Sequence, residues 1–309
     1  MKTLFFLLAV LGTACQPQAA PGAATAAHGA PTASAASPAL AILKGAASLP
    51  SPFKAADTLT VPMRQRLSQY DLSQLWQGAT EGRGSCHVLE GFFGPDHYRF
   101  ELVMNEVHRD KQNPGLYHVR GKCHYRKNIR PFTGALVIHE VSDFEGPYEF
   151  DYKDKDAPNQ SESTESDSAH SVYEQKLRRA RPSEVRAELR IKEDDAANSG
   201  EMVGEATLLF YLNSHNRPAY LLAPIRGTDS FTNAGYLLIR GTRYNVTTHQ
   251  VKQFVVADNV FTAAPDVLKD FDIGDRGGEM NPKYAHLGWN EKWENKEWWA
   301  DSPKPSLNL

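Results

Sequence analysis

The sequence predicts a mostly all-β fold, in which about ten antiparallel strands form a meander that closes into a barrel or packs as a sandwich. Beyond residue 85, apolar and polar residues alternate with a period of two, as in strands that have one buried face. Turn signals that contain Gly, Pro, Asn or Asp separate these segments at short intervals. A helix is predicted before the strands, and a short helix and an aromatic tail after them.

The chain begins with a pattern that is typical of export. One basic residue, Lys2, precedes an apolar run over residues 4–11 and three small residues at 12–14. A charge, a short apolar stretch and small residues, in that order, indicate a cleaved signal peptide. The run is shorter than the roughly 20 residues that a membrane-spanning helix needs. We therefore predict that residues 1–14 are a signal peptide.

Cys15 directly follows the small residues. A cysteine at this place resembles the bacterial lipoprotein signal, in which the cysteine becomes the lipidated first residue, although Gly12 stands where that signal has Leu. The resemblance implies that Cys15 is lipidated and anchors the protein to a membrane of the cell envelope. Because Gln16 follows the cysteine, the resemblance favours the outer membrane. The alternative is cleavage near Ala14 or Ala20, which would give a secreted protein.

A segment that is poor in structure-forming residues follows the cysteine. Residues 16–56 are rich in Ala, Pro, Ser and Gly, carry almost no charge, and contain no aromatic residue before Phe53. Such a segment cannot bury enough apolar surface to offset the entropy of ordering it. We interpret residues 15–56 as a lipidated cysteine and a flexible tether with a reach of roughly 35 Å. Residues 57–309 are then long enough for a single β domain with its own core.

Composition and motifs argue against several function classes. The 309-residue chain has 34 basic and 37 acidic side chains and a net charge of −3, whereas a general nucleic-acid-binding protein presents a basic surface. The sequence has no P-loop, no dinucleotide-binding fingerprint and no Gly-x-Ser-x-Gly motif. We predict no catalytic residue, no cofactor and no nucleic-acid partner. The one enzyme class that we leave open is a hydrolase with a carboxylate pair, because such a pair leaves no sequence signature.

Residues 57–82 are predicted to be helical, because Met63, Leu67 and Tyr70 recur at roughly helical spacing. Asp71 is suited to cap a second short helix within this segment.

A Gly-Pro-Asp turn signal predicts a hairpin over residues 85–93 and 97–105. The expected register sets Glu90 opposite Phe100, on the apolar face that also carries Tyr98. An unpaired buried charge is costly, so a carboxylate on this face indicates a functional role. The alternative is a β-bulge that turns Glu90 outward.

Further strands are predicted at 116–126, 132–141, 147–152, 184–192, 203–213, 218–223, 235–242 and 248–257. The first of these alternates most cleanly. One face carries Tyr117, Val119, Gly121, Cys123 and Tyr125, and the other carries His118, Arg120, Lys122, His124 and Arg126.

Two segments depart from the strand pattern. Residues 153–181 are polar and acidic, which predicts a mobile loop, and the basic run KLRRARPSEVR that follows is interpreted as solvated charge. The chain ends in a segment rich in aromatic residues, which we expect to pack on or across one end of the β structure; its rings are Tyr284, Trp289, Trp293, Trp298 and Trp299.

Two cysteines, Cys86 and Cys123, fall on the predicted inner face. In a meander they lie two strands apart, roughly 9–10 Å, which is beyond the reach of a disulfide unless a strand bends. A disulfide and two buried thiols therefore both remain open. Each cysteine precedes a histidine, but adjacent residues of a strand point to opposite faces, so zinc binding is not favoured. The segment DFDIGDRGGE departs from the EF-hand spacing, and we predict no metal site.

The runs EGFFGPDHYRFEL and YHVRGKCHYRKNIRPFTGALVI resemble uncharacterised exported bacterial lipoproteins with a lipocalin-like, meander β domain. The resemblance covers residues 84–260, depends on Gly positions and alternation, and implies no catalytic residue. We predict an envelope lipoprotein that binds an apolar or amphipathic small ligand inside a barrel. The predicted lining is Glu90, Tyr98, Phe100, Tyr117 and Tyr125. The alternative is a surface module that binds a glycan or a protein through exposed aromatic residues.

Overall fold

A computed structural model describes residues 49–55, 58–78, 88–146, 148–150, 175–176, 178–194, 199–225, 234–263, 272–273, 279–291 and 297–301. The predicted signal peptide, the lipidation site Cys15, most of the tether, Cys86, Trp293 and most of the predicted acidic loop 153–181 lie outside these residues. None of the helices in the described residues is long and apolar enough to cross a membrane.

The described strands are β1 (Leu89–Phe93), β2 (Tyr98–Arg109), β3 (Leu116–Tyr125), β4 (Asn128–Asp143), β5 (Glu149–Phe150), β6 (Ser183–Glu193), β7 (Gly200–Leu212), β8 (Pro218–Leu222), β9 (Leu237–Asn245), β10 (Val251–Ala257), β11 (Asp272–Ile273) and β12 (Glu279–Met280). The last two strands pair with each other apart from the main sheet, in and next to the segment DFDIGDRGGE. The positions of the main strands agree with the sequence prediction to within a few residues.

The main sheet closes into a ring. Its antiparallel pairings run from β1 through β2, β3, β4, β6, β7 and β9 to β10, and β10 pairs again with β1. Strand β8 extends the sheet beside the end of β7, and β5 pairs with β8. The prediction of a mostly antiparallel, all-β, barrel-like fold is confirmed.

The predicted leading helix is two helices, α1 (Val61–Ser68) and α2 (Ser73–Trp76). The Thr60 side chain accepts a hydrogen bond from the Met63 N–H and so caps α1. Leu72, and not Asp71, is the N-cap residue of α2. The Asp71 carboxylate, one residue earlier, accepts from the backbone N–H of Ser73 at 2.9 Å. The helices are separate because residues 69–72 turn the chain between them.

The segment that contains α1 and α2 covers one end of the ring. Leu67, Leu72 and Trp76 are almost completely buried and belong to the same core cluster as the inner face of the strands. The backbone N–H of Leu72 donates to the Tyr117 hydroxyl, so the segment is bonded to the inner face of β3. This end of the ring is therefore closed by the helices that precede the first strand.

A second apolar cluster lies on the outer face of the ring. Phe92 and Tyr211 belong to it, together with residues of helix α3 (Val260–Ala263) and of the 3₁₀ segments Pro282–Leu287 and Trp289–Glu291. Trp289 is fully buried, and its ring centroid is 5.3 Å from that of Phe92. Trp289 Nε1 also donates to the His97 carbonyl in the β1–β2 turn, at 3.4 Å. This part of the aromatic tail therefore packs on outward-facing apolar residues beside one end of the ring.

The chain before α1 is held on the outer wall of β4 and β6. The Phe53 ring stacks on His139 with 4.2 Å between ring centroids, and the Arg186 guanidinium lies 5.3 Å from the Phe53 centroid. Ser51 donates a hydrogen bond of 2.8 Å to Glu188. Although the sequence predicts a flexible tether over 15–56, its last described part, residues 49–55, is bound to the wall by these contacts.

The register of the first hairpin differs from the prediction by one residue. Glu90 faces Glu101, and Phe93 faces Tyr98. The cause is the turn, in which Gly94 and His97 both have positive φ, at 73° and 55°, so that His97 belongs to the turn and not to β2. Because side chains alternate, a shift of one residue moves Glu90 from the inner to the outer face. The expectation of an inward-facing Glu90 is wrong.

A buried ionic cluster lies on the inner face at the end of the ring opposite α1 and α2. The Glu193 carboxylate accepts from Arg243 Nε at 2.8 Å and Nη2 at 2.5 Å, and from Arg130 Nη1 at 3.1 Å. The Glu193 side chain is only 2% exposed. The Arg243 guanidinium fits because Gly200 has no Cβ, whose place would be 2.5 Å from Arg243 Cζ. The sequence did not indicate this cluster.

We expect Glu193→Ala to lower the free energy of unfolding by about 3–5 kcal/mol, because it leaves buried guanidinium charge without its partner. Urea denaturation measures the change. The matched control is Glu106→Ala, which removes a carboxylate 3.8 Å from Arg120 with both side chains more than half exposed. The control is expected to cost less than about 1 kcal/mol. Equal, small losses in the two variants would contradict the assignment of a buried ion pair.

Candidate functional site

The residues that the sequence predicts to line a ligand site do not form one site. Tyr98, Phe100 and Tyr125 lie near one another on the inner face, at the end that holds the ionic cluster, and the Tyr98 and Tyr125 ring centroids are 5.9 Å apart. Tyr117 lies near the other end, against Leu72. Glu90 is on the outer face, as described above.

The inner face is filled by large side chains. Phe100, Tyr117 and Phe132 are at most 1% exposed and pack into one continuous apolar cluster, to which Trp76 of α2 also belongs. Burial of the Tyr117 phenol raises its pKa to about 12. These residues have the environment of a packed core, so the described interior gives no support for a ligand inside the ring.

Glu90 is paired on the outer wall. It accepts a hydrogen bond from Arg99 Nη2 at 2.6 Å, and the same nitrogen donates to Glu101 at 2.9 Å. Glu101 also contacts His124 Nδ1 at 2.7 Å and accepts from Trp298 Nε1 at 3.3 Å. The expectation of an unpaired carboxylate is therefore wrong, and this group of polar residues holds the C-terminal segment on the wall of β2 and β3.

Cys123 is a free, buried thiol. It lies on the inner face, as predicted, and its Sγ is 3.7 Å from Glu193 Oε1. Burial is the main cause that raises the pKa of this thiol, and the negative charge of Glu193 adds to the effect. A thiol with a raised pKa and no access to solvent is unreactive. Its predicted disulfide partner, Cys86, lies outside the described residues.

Two histidines of the outer face, His118 and His124, each contact one carboxylate. His118 Nε2 is 3.0 Å from Asp110, and this hydrogen bond is the main cause that lowers the pKa of Asp110. His124 pairs with Glu101 in the same way. Within the part of the chain that the structure describes, no group of three or more His, Cys, Asp or Glu side chains could hold a metal ion.

A cleft of about 520 Å³ lies outside the ring, between helix α1 and the segments that end β4 and begin β6. Helix α1 contributes its polar face, and the other wall comes from residues just beyond Asp143 and just before Ser183. The lining residues are Pro62, Gln65, Arg66, Gln69, Asp143, Phe144, Tyr148, Arg178, Arg181 and Pro182. This volume is within the range of sites that bind small molecules.

The cleft is rich in positive charge, with three arginines and one aspartate in its lining. Arg66 is held in place, because Nη1 donates to Asp143 at 2.7 Å and Nη2 donates to Ser183 at 2.6 Å. Arg178 and Arg181 are exposed, and neither forms an ion pair within the described residues. Two cations are thus left for a ligand.

Apolar and aromatic groups lie beside this charge. The rings of Phe144 and Tyr148 line the cleft with their centroids 6.2 Å apart, and two prolines add apolar surface. Tyr70 lies in the core beside the cleft, and its buried hydroxyl is near the Arg66 guanidinium. Burial raises the pKa of Tyr70, and the nearby charges of Arg66 and Arg181 oppose that rise.

Sequence reasoning missed the cleft. Arg178 and Arg181 belong to the basic run that we interpreted as solvated charge, and Arg66 is an ordinary polar position of a helix. The sequence did carry a signal. The basic run leads into a predicted strand, and the aromatic residues Phe144 and Tyr148 lie shortly after the strand that forms β4. Its significance depends on the pairing of β4 with β6, which brings the two segments together.

Comparison with protein-family models, with curated proteins and with solved structures finds no match to this chain.

The thiol environment gives a direct prediction. In a Cys15→Ser/Cys86→Ser variant, we expect Cys123 to stay unlabelled by iodoacetamide at pH 8 in the native protein and to react fully after unfolding, because it is buried and its pKa is raised. Mass spectrometry counts the labels. In the chain that retains Cys86, reduction is expected to leave the intact mass unchanged. Rapid native labelling, or a mass gain of two hydrogens on reduction, would contradict the assignment.

Proposed function

We propose that this protein is a membrane-tethered lipoprotein of the bacterial cell envelope that binds an amphipathic small molecule in the cleft beside α1. The observation that carries the proposal is the combination, in one concave site, of unpaired cations with the Phe144 and Tyr148 rings. Ligand sites commonly combine an apolar lining with a few polar groups that fix orientation. The proposal moves the ligand from the ring interior, where the sequence placed it, to the cleft.

Packing favours the cleft over the filled interior. A ligand inside the ring would have to displace core side chains such as Phe100 and Phe132, and expansion of a packed core is costly. The cleft is already concave, and most of its lining side chains are at least partly exposed. A ligand there replaces water and leaves the core unchanged.

A glycan- or protein-binding module that uses exposed aromatic residues is the second hypothesis. Trp289 is fully buried, and Trp298 packs on His124 with 5.1 Å between ring centroids. These two rings hold the C-terminal part of the chain on the outer wall. Since their contacts are made within the chain, the observations favour the cleft over a tryptophan surface.

The anchor is tested by Cys15→Ser. We expect the wild-type chain, expressed in a Gram-negative host, to fractionate with the outer membrane and to enter the detergent phase of a Triton X-114 separation. The Cys15→Ser variant is expected in the aqueous phase, because it has no site for the lipid. Cys86→Ser is the matched control and should behave as the wild type. An aqueous wild-type chain would contradict the lipid anchor and favour the secreted alternative.

The cleft is tested by filling it. We expect the full-length Cys15→Ser protein, incubated with a total lipid extract of the host, to show excess mass by native mass spectrometry that disappears on denaturation. Adding Gln65→Trp and Gln69→Trp, exposed positions on α1 and at its C-terminal cap that line the cleft, should abolish the excess mass. Ser68→Trp lies on the same helix but outside the lining and should retain it. No excess mass, or equal excess mass in all variants, would overturn the proposal.

A further inference from the structure

We propose, building on the function proposed above, that the cleft recognises its ligand by an anionic head group, a carboxylate or a phosphate monoester. The head group binds between Arg66, Arg178 and Arg181, and the apolar part of the ligand lies against Phe144 and Tyr148.

Arg66 is the fixed part of the anion site. Its contacts with Asp143 and Ser183 use two of the five N–H groups of the guanidinium. Ser183 is itself fully buried, and its hydroxyl donates to the backbone carbonyl of Arg181 at 2.6 Å. This hydroxyl therefore connects Arg66 on α1 to the segment that leads into β6, on the other side of the cleft. A donor that is held before the ligand arrives loses little entropy on binding.

Arg178 and Arg181 supply positive charge that no acidic side chain pairs with among the described residues. Asp143 is the acidic residue of the lining, and it is bonded to Arg66. The cleft therefore has an excess of two positive charges. Guanidinium groups match carboxylate and phosphate oxygens in geometry as well as in charge. A cationic ligand would be repelled by these charges, and a neutral one would gain no charge-assisted hydrogen bond from them.

Tyr70 packs in the core beside the same guanidinium groups. It is 7% exposed, and burial is the main cause that raises its pKa. The charge of Arg66, a hydrogen bond with Arg66 and the charge of Arg181 oppose that rise. The Tyr70 phenol therefore belongs to the polar surroundings that hold Arg66.

The aromatic wall determines where the apolar part lies. Phe144 and Tyr148 lie just beyond the end of β4, on the opposite side of the cleft from α1, with Pro182 near them in the lining. Rings and prolines offer no charge to a head group, but they offer contact surface to a chain or a ring. The ligand is therefore an amphiphile with one anionic end.

Isothermal titration calorimetry on full-length Cys15→Ser protein tests the proposal with matched ligands below their micellar concentrations. The probes are decanoate, decyl phosphate, decanol and inorganic phosphate. We expect at least one of the two anionic amphiphiles to bind at least tenfold more tightly than decanol. We also expect that binding to weaken as salt is raised, because salt screens exposed charges.

Two charge variants locate the site. Arg178→Gln/Arg181→Gln should weaken binding of the anionic amphiphile at least tenfold. The matched control, Lys192→Gln/Arg240→Gln, removes the same number of exposed positive charges from β6 and β9, outside the cleft lining, and should leave affinity unchanged. Equal weakening in both variants would mean that net charge alone attracts the ligand, and would overturn the proposal.

The other outcomes separate this proposal from the proposed function. If decanol binds as tightly as decanoate and decyl phosphate, and if the Gln65→Trp/Gln69→Trp variant abolishes that binding, the cleft binds a ligand but the anionic head group is wrong. If inorganic phosphate binds as tightly as decyl phosphate, the role of the aromatic wall is wrong. Both proposals fail if no probe binds, or if the Gln65→Trp/Gln69→Trp variant binds the probes as tightly as the protein without these two substitutions.

Discussion

The pairing of β10 with β1 is the interaction on which the rest of the structure depends. It turns an open meander into a ring, so that the paired strands of the ring have neighbours on both sides and one face of the sheet is enclosed. An enclosed face must be filled, and residues such as Phe100 and Phe132 fill it. The ring also has two ends, and the chain closes them differently: one is covered by α1 and α2, and the other holds the Glu193 ionic cluster.

The alternation of apolar and polar residues was sufficient to predict the strands, because a sheet with one enclosed face requires that period. It was also sufficient to place Cys123 inward. It did not give the register of the first hairpin, because that depends on whether His97 adopts a positive φ in the turn. For the same reason, Glu90 was assigned to the wrong face and credited with a role that its pairing with Arg99 does not support.

The ionic cluster and the cleft could not be predicted, because neither is a local feature. Glu193, Arg243 and Arg130 come from three strands, and each is, in the sequence, one polar residue near a strand end. The cleft likewise needs α1 and the β4–β6 connection to meet. Patterns in a single sequence indicate which face of the sheet a residue occupies. They do not indicate which residues from distant parts of the chain lie beside it. A charged site is made of residues from distant parts of the chain, so these patterns do not reveal it.

The attachment of residues 49–53 to the wall of β4 and β6 has a mechanical consequence. Tension that reaches the domain through the preceding chain acts first on Phe53, stacked on His139, and on Ser51, bonded to Glu188. These contacts lie before α1 in the chain and connect directly to paired strands, which resist deformation better than a short helix does. Tension applied from the N-terminal side would therefore reach the sheet through these contacts before it reaches α1.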